Sequence, residues 1–262
     1  MAEAFVKGIF EETYLPMRHL PRFLPGVTGL TLSLSLLLFA CSKESDKEDD
    51  PMPEFPGETA GEIPGFGEAG GEPQGIQFRL PDGVELVEQL RGNENGRSND
   101  DCVYDGQGNN VLVKIKLRRT MPGGSPIRVE FPAGLVIVST SEGRNQNGLL
   151  IEKMIVELPP MVQGGAGSRC DLTMLLTCAN EERDPSSNYH TYKFGPVTNS
   201  AMIKDLIRRL SGKKISYSDY TSAQEQQRLE AMYAVQQALY SLTDRTGYNP
   251  GVLAEIAKIP NR

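Results

Sequence analysis

Four cysteines and one glutamine on an otherwise apolar helix face are the side chains in this 262-residue chain with the most chemical latitude. Cys170 and Cys178 lie on the same apolar face of a predicted strand, Cys170-Asp171-Leu172-Thr173-Met174-Leu175-Leu176-Thr177-Cys178. Eight extended residues separate them by roughly 26 Å, whereas a disulfide needs Cα atoms within about 7 Å. They cannot pair with each other unless the strand breaks. Cys102 is therefore expected to pair with one of them. Cys170 is favoured, which leaves Cys178 free, and a Cys102–Cys178 bridge is the alternative. Gln236 sits among Leu229, Met232, Tyr233, Val235, Leu239, Tyr240 and Leu242 on the broad apolar face of a predicted helix. An amide placed there must find partners or cost about 1–3 kcal/mol. The two histidines, His19 and His190, have no CxxC or HExxH spacing beside them, so no metal site and no cofactor is expected. His190 lacks a nucleophile-elbow sequence to serve. Its neighbours Tyr189 and Tyr192 read either as a glycan contact or as an ordinary strand.

The elements that must position these groups change character along the chain. Short β-type runs punctuated by turn residues come first: Ile76–Leu80, Val111–Leu117, Ile127–Phe131, Leu135–Val138, Leu149–Leu158 and Cys170–Cys178. The Gly/Asn/Asp-rich stretch Asn93–Asn110 reads as a loop. After Pro196 the period becomes helical: Ile203, Leu206, Ile207 and Leu210 share a face, with Asn199 as cap and Gly212 as stop. A second helix opens at Thr221 with Gln224 completing a capping box and runs to about Thr243, and a third covers Val252–Ile259. The expected fold class is α+β, with an N-terminal β-sandwich at 76–178 and a C-terminal helical subdomain at 179–262 packed on it.

The stretch before residue 76 has a different logic. Leu30–Ala40 is an apolar run too short to span a bilayer as a helix but suited to a signal h-region, with Arg18 and Arg22 ahead of it. Residues 1–40 therefore read as a signal peptide with an over-long N-terminus, Met17 being a more ordinary start. The run ends Leu38-Phe39-Ala40-Cys41, which resembles the lipobox of bacterial lipoproteins and implies lipidation of Cys41. The acidic run that follows, Ser42–Asp50, resembles the surface-export signal of Bacteroidota lipoproteins. Residues 42–72 carry two lysines against ten acids, so the net charge of −7 belongs to this region and the remainder is nearly neutral. That balance excludes the basic stripe of a nucleic-acid binder. Poor in apolar residues, 41–75 is expected to be a disordered stalk behind the lipidated cysteine.

Three stretches taken together resemble the thioester domains of bacterial surface adhesins. Thr177-Cys178-Ala179-Asn180 matches the family's cysteine motif in its cysteine and asparagine, without the flanking aromatics. Leu206–Gly212 is similar to its Leu-x-x-Leu-x-x-Gly helix, with one residue more between the two leucines. Val235-Gln236-Gln237-Ala238-Leu239-Tyr240 resembles its Thr-Gln-x-Ala-Ile-Trp helix, Tyr240 standing for tryptophan. The likeness covers roughly residues 170–245. It implies a thioester between Cys178 and Gln236, an electrophile that a partner's lysine amine attacks. The plainer alternative makes Cys178 a small buried hydrophobe and Gln236 a core amide bonded to backbone.

The expected function is a lipid-anchored adhesion or binding module on the outer-membrane surface, not an enzyme, with a protein or glycan ligand and no nucleic acid. The alternatives are a structural or assembly lipoprotein of an outer-membrane complex, or a hydrolase acting on glycans. The last needs paired carboxylates, which Asp171, Glu181, Glu182 and Asp184 do not reveal by spacing.

Overall fold

The structure is a computed structural model that describes residues 52–94, 96, 101–142, 144–161 and 168–262. The expected signal peptide, Cys41 and the acidic run after it lie outside the described residues. The strands are β1 (Gly75–Gln77), β2 (Val84–Leu86), β3 (Leu90–Gly92), β4 (Asp101–Gly106), β5 (Val111–Arg119) and β6 (Ile127–Phe131). They continue with β7 (Leu135–Ser139), β8 (Gly148–Leu149), β9 (Met154–Leu158), β10 (Arg169–Cys178) and β11 (Thr191–Thr198). Three α-helices follow: α1 (Ala201–Leu210), α2 (Glu225–Thr243) and α3 (Pro250–Lys258).

The expected sandwich is corrected to a closed barrel. Six strands join in the order β5-β3-β11-β7-β8-β10, and β10 pairs back onto β5 from Arg169↔Arg118 to Leu176↔Val111. Every pairing around the ring is antiparallel. β4 adds to β10 in parallel, β1 adds to β11, β2 adds to β5, and β6 and β9 form a separate two-stranded ribbon. The reason for the miss is physical: alternation reports that one sheet face is apolar, and that pattern is the same whether the face meets a second sheet or curls onto itself. Val111, Val113, Ile115 and Leu117 of β5 meet Leu172, Met174, Leu176 and Cys178 of β10 in one interior cluster.

No separate helical subdomain begins at 179, because β11 lies beyond that boundary and sits between β3 and β7 in the ring. The helices cover the outside of the barrel instead. Val136, Val138 and Leu149 point outward into a second cluster with Ile203 and Leu206 of α1, Val235 and Leu239 of α2, and Ile256 of α3. That double burial explains why β7 reads as a nearly continuous apolar run. Ser200, rather than the expected Asn199, caps α1, its Oγ accepting from Ile203 N at 3.2 Å. Thr221 and Gln224 do form a capping box, on a short 3₁₀ turn that leads into α2. The expected strand Leu149–Leu158 is divided between β8 in the barrel and β9 in the ribbon.

Residues 52–74, expected within a free stalk, are instead packed against the domain. Ile63 and Phe66 are buried in the outer cluster. Glu58 accepts from Ala201 N and Met202 N at the start of α1, where a carboxylate is favoured. Gly67 crosses the end of α2 so closely that a Cβ would lie 1.9 Å from Thr243 O, and its φ of +55° suits glycine. A Pro/Gly/Glu composition argues against an independent core, but two large apolar residues suffice to seat a strap on a core built by others.

Candidate functional site

Cys178 is the last residue of β10 and is fully buried. It is free, while Cys102 and Cys170 are bonded to each other, with Cα atoms 5.4 Å apart, tying β4 to the opposite end of β10. The backbone explains what happens at Cys178. Leu175 O accepts from Gln107 N and Ala179 N donates to Asn147 O, so odd-numbered residues of β10 turn their backbone groups towards β4 and β8. Even-numbered residues turn theirs towards β5, whose ladder ends at Leu176↔Val111. Cys178 lies one step past that end, with no strand among the described residues to pair its N–H and C=O on that side.

Gln236 takes the place of the missing strand. Cys178 N donates to Gln236 Oε1 at 2.9 Å, and Gln236 Nε2 donates to Cys178 O at 2.8 Å. The side chain comes from α2, on a stripe with Met232 and Tyr240 one turn to either side. Tyr240 belongs to the barrel's interior cluster, so this stripe lies over the end of the barrel where β10 finishes. The two residues singled out from sequence are therefore in contact, through the amide of one and the backbone of the other.

The thiol itself points elsewhere, donating to Gln146 Oε1 at 2.9 Å. Burial pushes the Cys178 thiol up to about 12, against smaller downward effects from hydrogen bonds with the Tyr240 and Asn110 side chains. Tyr192 is buried beside it, and its hydroxyl has no hydrogen-bond partner among the described residues. Burial first, then the proximity of Cys178, raises the hydroxyls of both Tyr192 and Tyr240. Asn110, Gln236 and Tyr240 also line a groove of about 570 Å³ that opens to the surface along α2.

Sequence reasoning missed Gln146 and Asn110 and did not bring Tyr192 to this site. The signal available for Gln146 was the run Asn145-Gln146-Asn147, three consecutive amides that are all buried. Asn110 lay at the edge of a stretch read as loop, which contains β4. Tyr192, considered for a glycan contact, is 1% exposed and faces the interior, while Tyr189 is exposed. His190 is held in a local turn: Nδ1 accepts from Ser187 N at 3.0 Å and Nε2 lies 3.0 Å from Asn145 Nδ2. An amide and not a carboxylate orients that ring, so a Ser-His-Asp arrangement is not assembled there. Glu181 is ion-paired with Arg245.

Among the described residues no group of three His, Cys, Asp or Glu side chains is placed to hold a metal ion, and no helix is long and apolar enough to cross a membrane. Comparison with protein-family models, curated proteins and solved structures returns no match.

Proposed function

We propose that this chain is a surface binding module, anchored to the outer membrane through lipid on Cys41, whose Cys178 and Gln236 join as a thioester for covalent attachment to a partner's amine. The observation that carries the reading is the direct contact between Cys178 and the Gln236 amide at a buried site. In the bond-forming step Sγ attacks Cδ of Gln236, the S–C bond forms and the C–N bond breaks. The thiol proton leaves with the amide nitrogen as ammonia. The amide is now clamped to the backbone of Cys178 while the thiol faces Gln146, so closure needs rotation of both side chains. Burial keeps the thiol protonated and inert towards solvent reagents, so its proton must leave in the attack itself.

One observation favours a second reading. Both polar atoms of the Gln236 amide are satisfied by the Cys178 backbone, as a purely structural clamp requires, and the module then binds without a covalent bond. Intact mass of the purified, non-reduced protein separates the two. The thioester reading expects the loss of one ammonia, abolished by Cys178→Ala and by Gln236→Ala. A full mass, with one thiol titrating only after unfolding, leaves the clamp alone. The anchor has its own test: labelling with radioactive palmitate is expected in the wild type and absent in Cys41→Ala.

A further inference from the structure

A second buried amide has more around it than a structural amide needs. Gln107 directly follows β4 and is 2% exposed. Its Oε1 accepts from two consecutive backbone amides, Ile151 N at 3.1 Å and Glu152 N at 3.2 Å. Backbone N–H groups can only donate, so the orientation of the side chain is fixed and Nε2 faces Ser216 Oγ, 3.0 Å away. Ser216 is also buried, and its hydroxyl donates to Glu152 Oε2 at 3.0 Å. The Glu152 carboxylate is held by the Arg262 guanidinium, which pairs with Asp219 as well. Asp219 closes the circuit by accepting from Ser216 N at 2.8 Å and Ile215 N at 2.9 Å.

A hydroxyl on a carboxylate, a carboxylate oriented by a third group, and a carbonyl oxygen on two N–H donors are the parts of an acyl-transfer site. Here the carbonyl is the chain's own, and Gln107 fills the place a substrate would take. We propose that Ser216 and Gln107 join as an intramolecular ester, a cross-link from the end of β4 to the segment between α1 and α2. Glu152 takes the Ser216 hydroxyl proton as Oγ attacks Cδ of Gln107. The O–C bond forms and charge moves onto Oε1, where Ile151 N and Glu152 N stabilise it. The carbonyl then re-forms, the C–N bond breaks, and the proton on Glu152 leaves with the nitrogen as ammonia. Closure needs Oγ to move from the edge of the amide to its face. Burial of both residues keeps water from the finished ester, while Glu152, its side chain 25% exposed, connects the site to solvent. No atom of Cys178 or Gln236 takes part, so the ester and the thioester stand or fall separately.

The test reads mass and connectivity in Cys178→Ala, which cannot form the thioester. The folded, non-reduced protein should be lighter than its sequence by one ammonia, a loss additional to any that the thioester causes in the wild type. Digestion at acidic pH, where esters persist, should release one fragment in which Gln107 is joined to Ser216. Adding Ser216→Ala should restore the full mass. Adding Glu152→Gln keeps the shape of the base but not its ability to take a proton. Closure should then slow by about a hundredfold, and freshly purified protein should carry mostly the full mass; a merely structural Glu152 would leave the ammonia loss complete. If either added variant fails to fold, the fragment map of Cys178→Ala alone still decides. Full mass in folded Cys178→Ala, with Gln107 and Ser216 on separate fragments, overturns the ester whatever Cys178 does in the wild type. A lost ammonia that maps to any other pair of residues overturns it equally.

Discussion

The Gln236 amide and the Cys178 backbone form a two-point pair inside the protein, and each of the four polar atoms depends on the other residue. Gln236→Ala leaves a buried N–H and C=O facing a void, so a loss of about 2–4 kcal/mol in a urea unfolding titration is expected. Gln236→Glu should also destabilise at neutral pH, because a carboxylate still accepts from Cys178 N but sets a second acceptor against Cys178 O. The thiol adds a pH signature. Its folded value is raised by burial from the ordinary 9.0 to about 12, so its contribution is fully present below pH 9 and is lost as pH rises towards 12. The expected slope is up to about 1.4 kcal/mol per pH unit. Tyr192, Tyr220, Tyr240 and Tyr248 are raised as well, and ordinary tyrosines ionise near pH 10, so between pH 9 and 10 they slope the curve alongside Cys178, whose share leads at the lower end of that interval. Stability should fall more steeply around pH 9 in protein with a free thiol than in Cys178→Ser, and protein already closed as a thioester should follow the shallower curve.

At the scale of elements, β10 does the most positioning. One end is tied through Cys170 to Cys102 on β4, and the other presents Cys178 to α2. The bridge links positions 68 apart in sequence, for which loop-closure entropy gives about 4 kcal/mol. Reduction should therefore lower the unfolding midpoint markedly. Alkylation of reduced but still folded protein should modify Cys102, which is exposed, well before Cys178; equal labelling of both would mean that the barrel end is open. Much of this was legible beforehand. The alternation in Val111–Leu117 and Cys170–Cys178 located both strands, the separation of Cys170 from Cys178 ruled out their pairing, and the 3.6-residue period placed Gln236 on a buried helix face. Closure of the ring was not legible, since it depends on which strand edges meet across long sequence separations. β11 was read only at its Tyr192 end, as one of two alternatives, because Gly195 and Pro196 interrupt its pattern beyond. The contact of Gln146 with the thiol was missed because no local pattern announces a polar residue delivered from a loop 32 positions away.

For the molecule as a whole, the strap changes how the domain would be held. A free chain from Cys41 to Gly75 reaches at most about 120 Å, but if the chain is already docked at Phe55 the reach falls to about 50 Å. A lipid on Cys41 would then keep the barrel near the membrane, and a partner would have to approach the groove there instead of meeting a module on a long tether. The docking itself is testable without any membrane. Phe66 is fully buried against the outer cluster, and Phe66→Ala should cost about 3–5 kcal/mol. A chain starting at Gly75 also loses Ile63 and the Glu58 contacts to the start of α1, so it should unfold at distinctly lower denaturant than one starting at Pro51. Hydrogen exchange should quicken at Ala201 and Met202, whose amides donate to Glu58. If the two chains unfold together and α1 exchanges alike in both, residues 52–74 are a passive tether, and the longer reach applies.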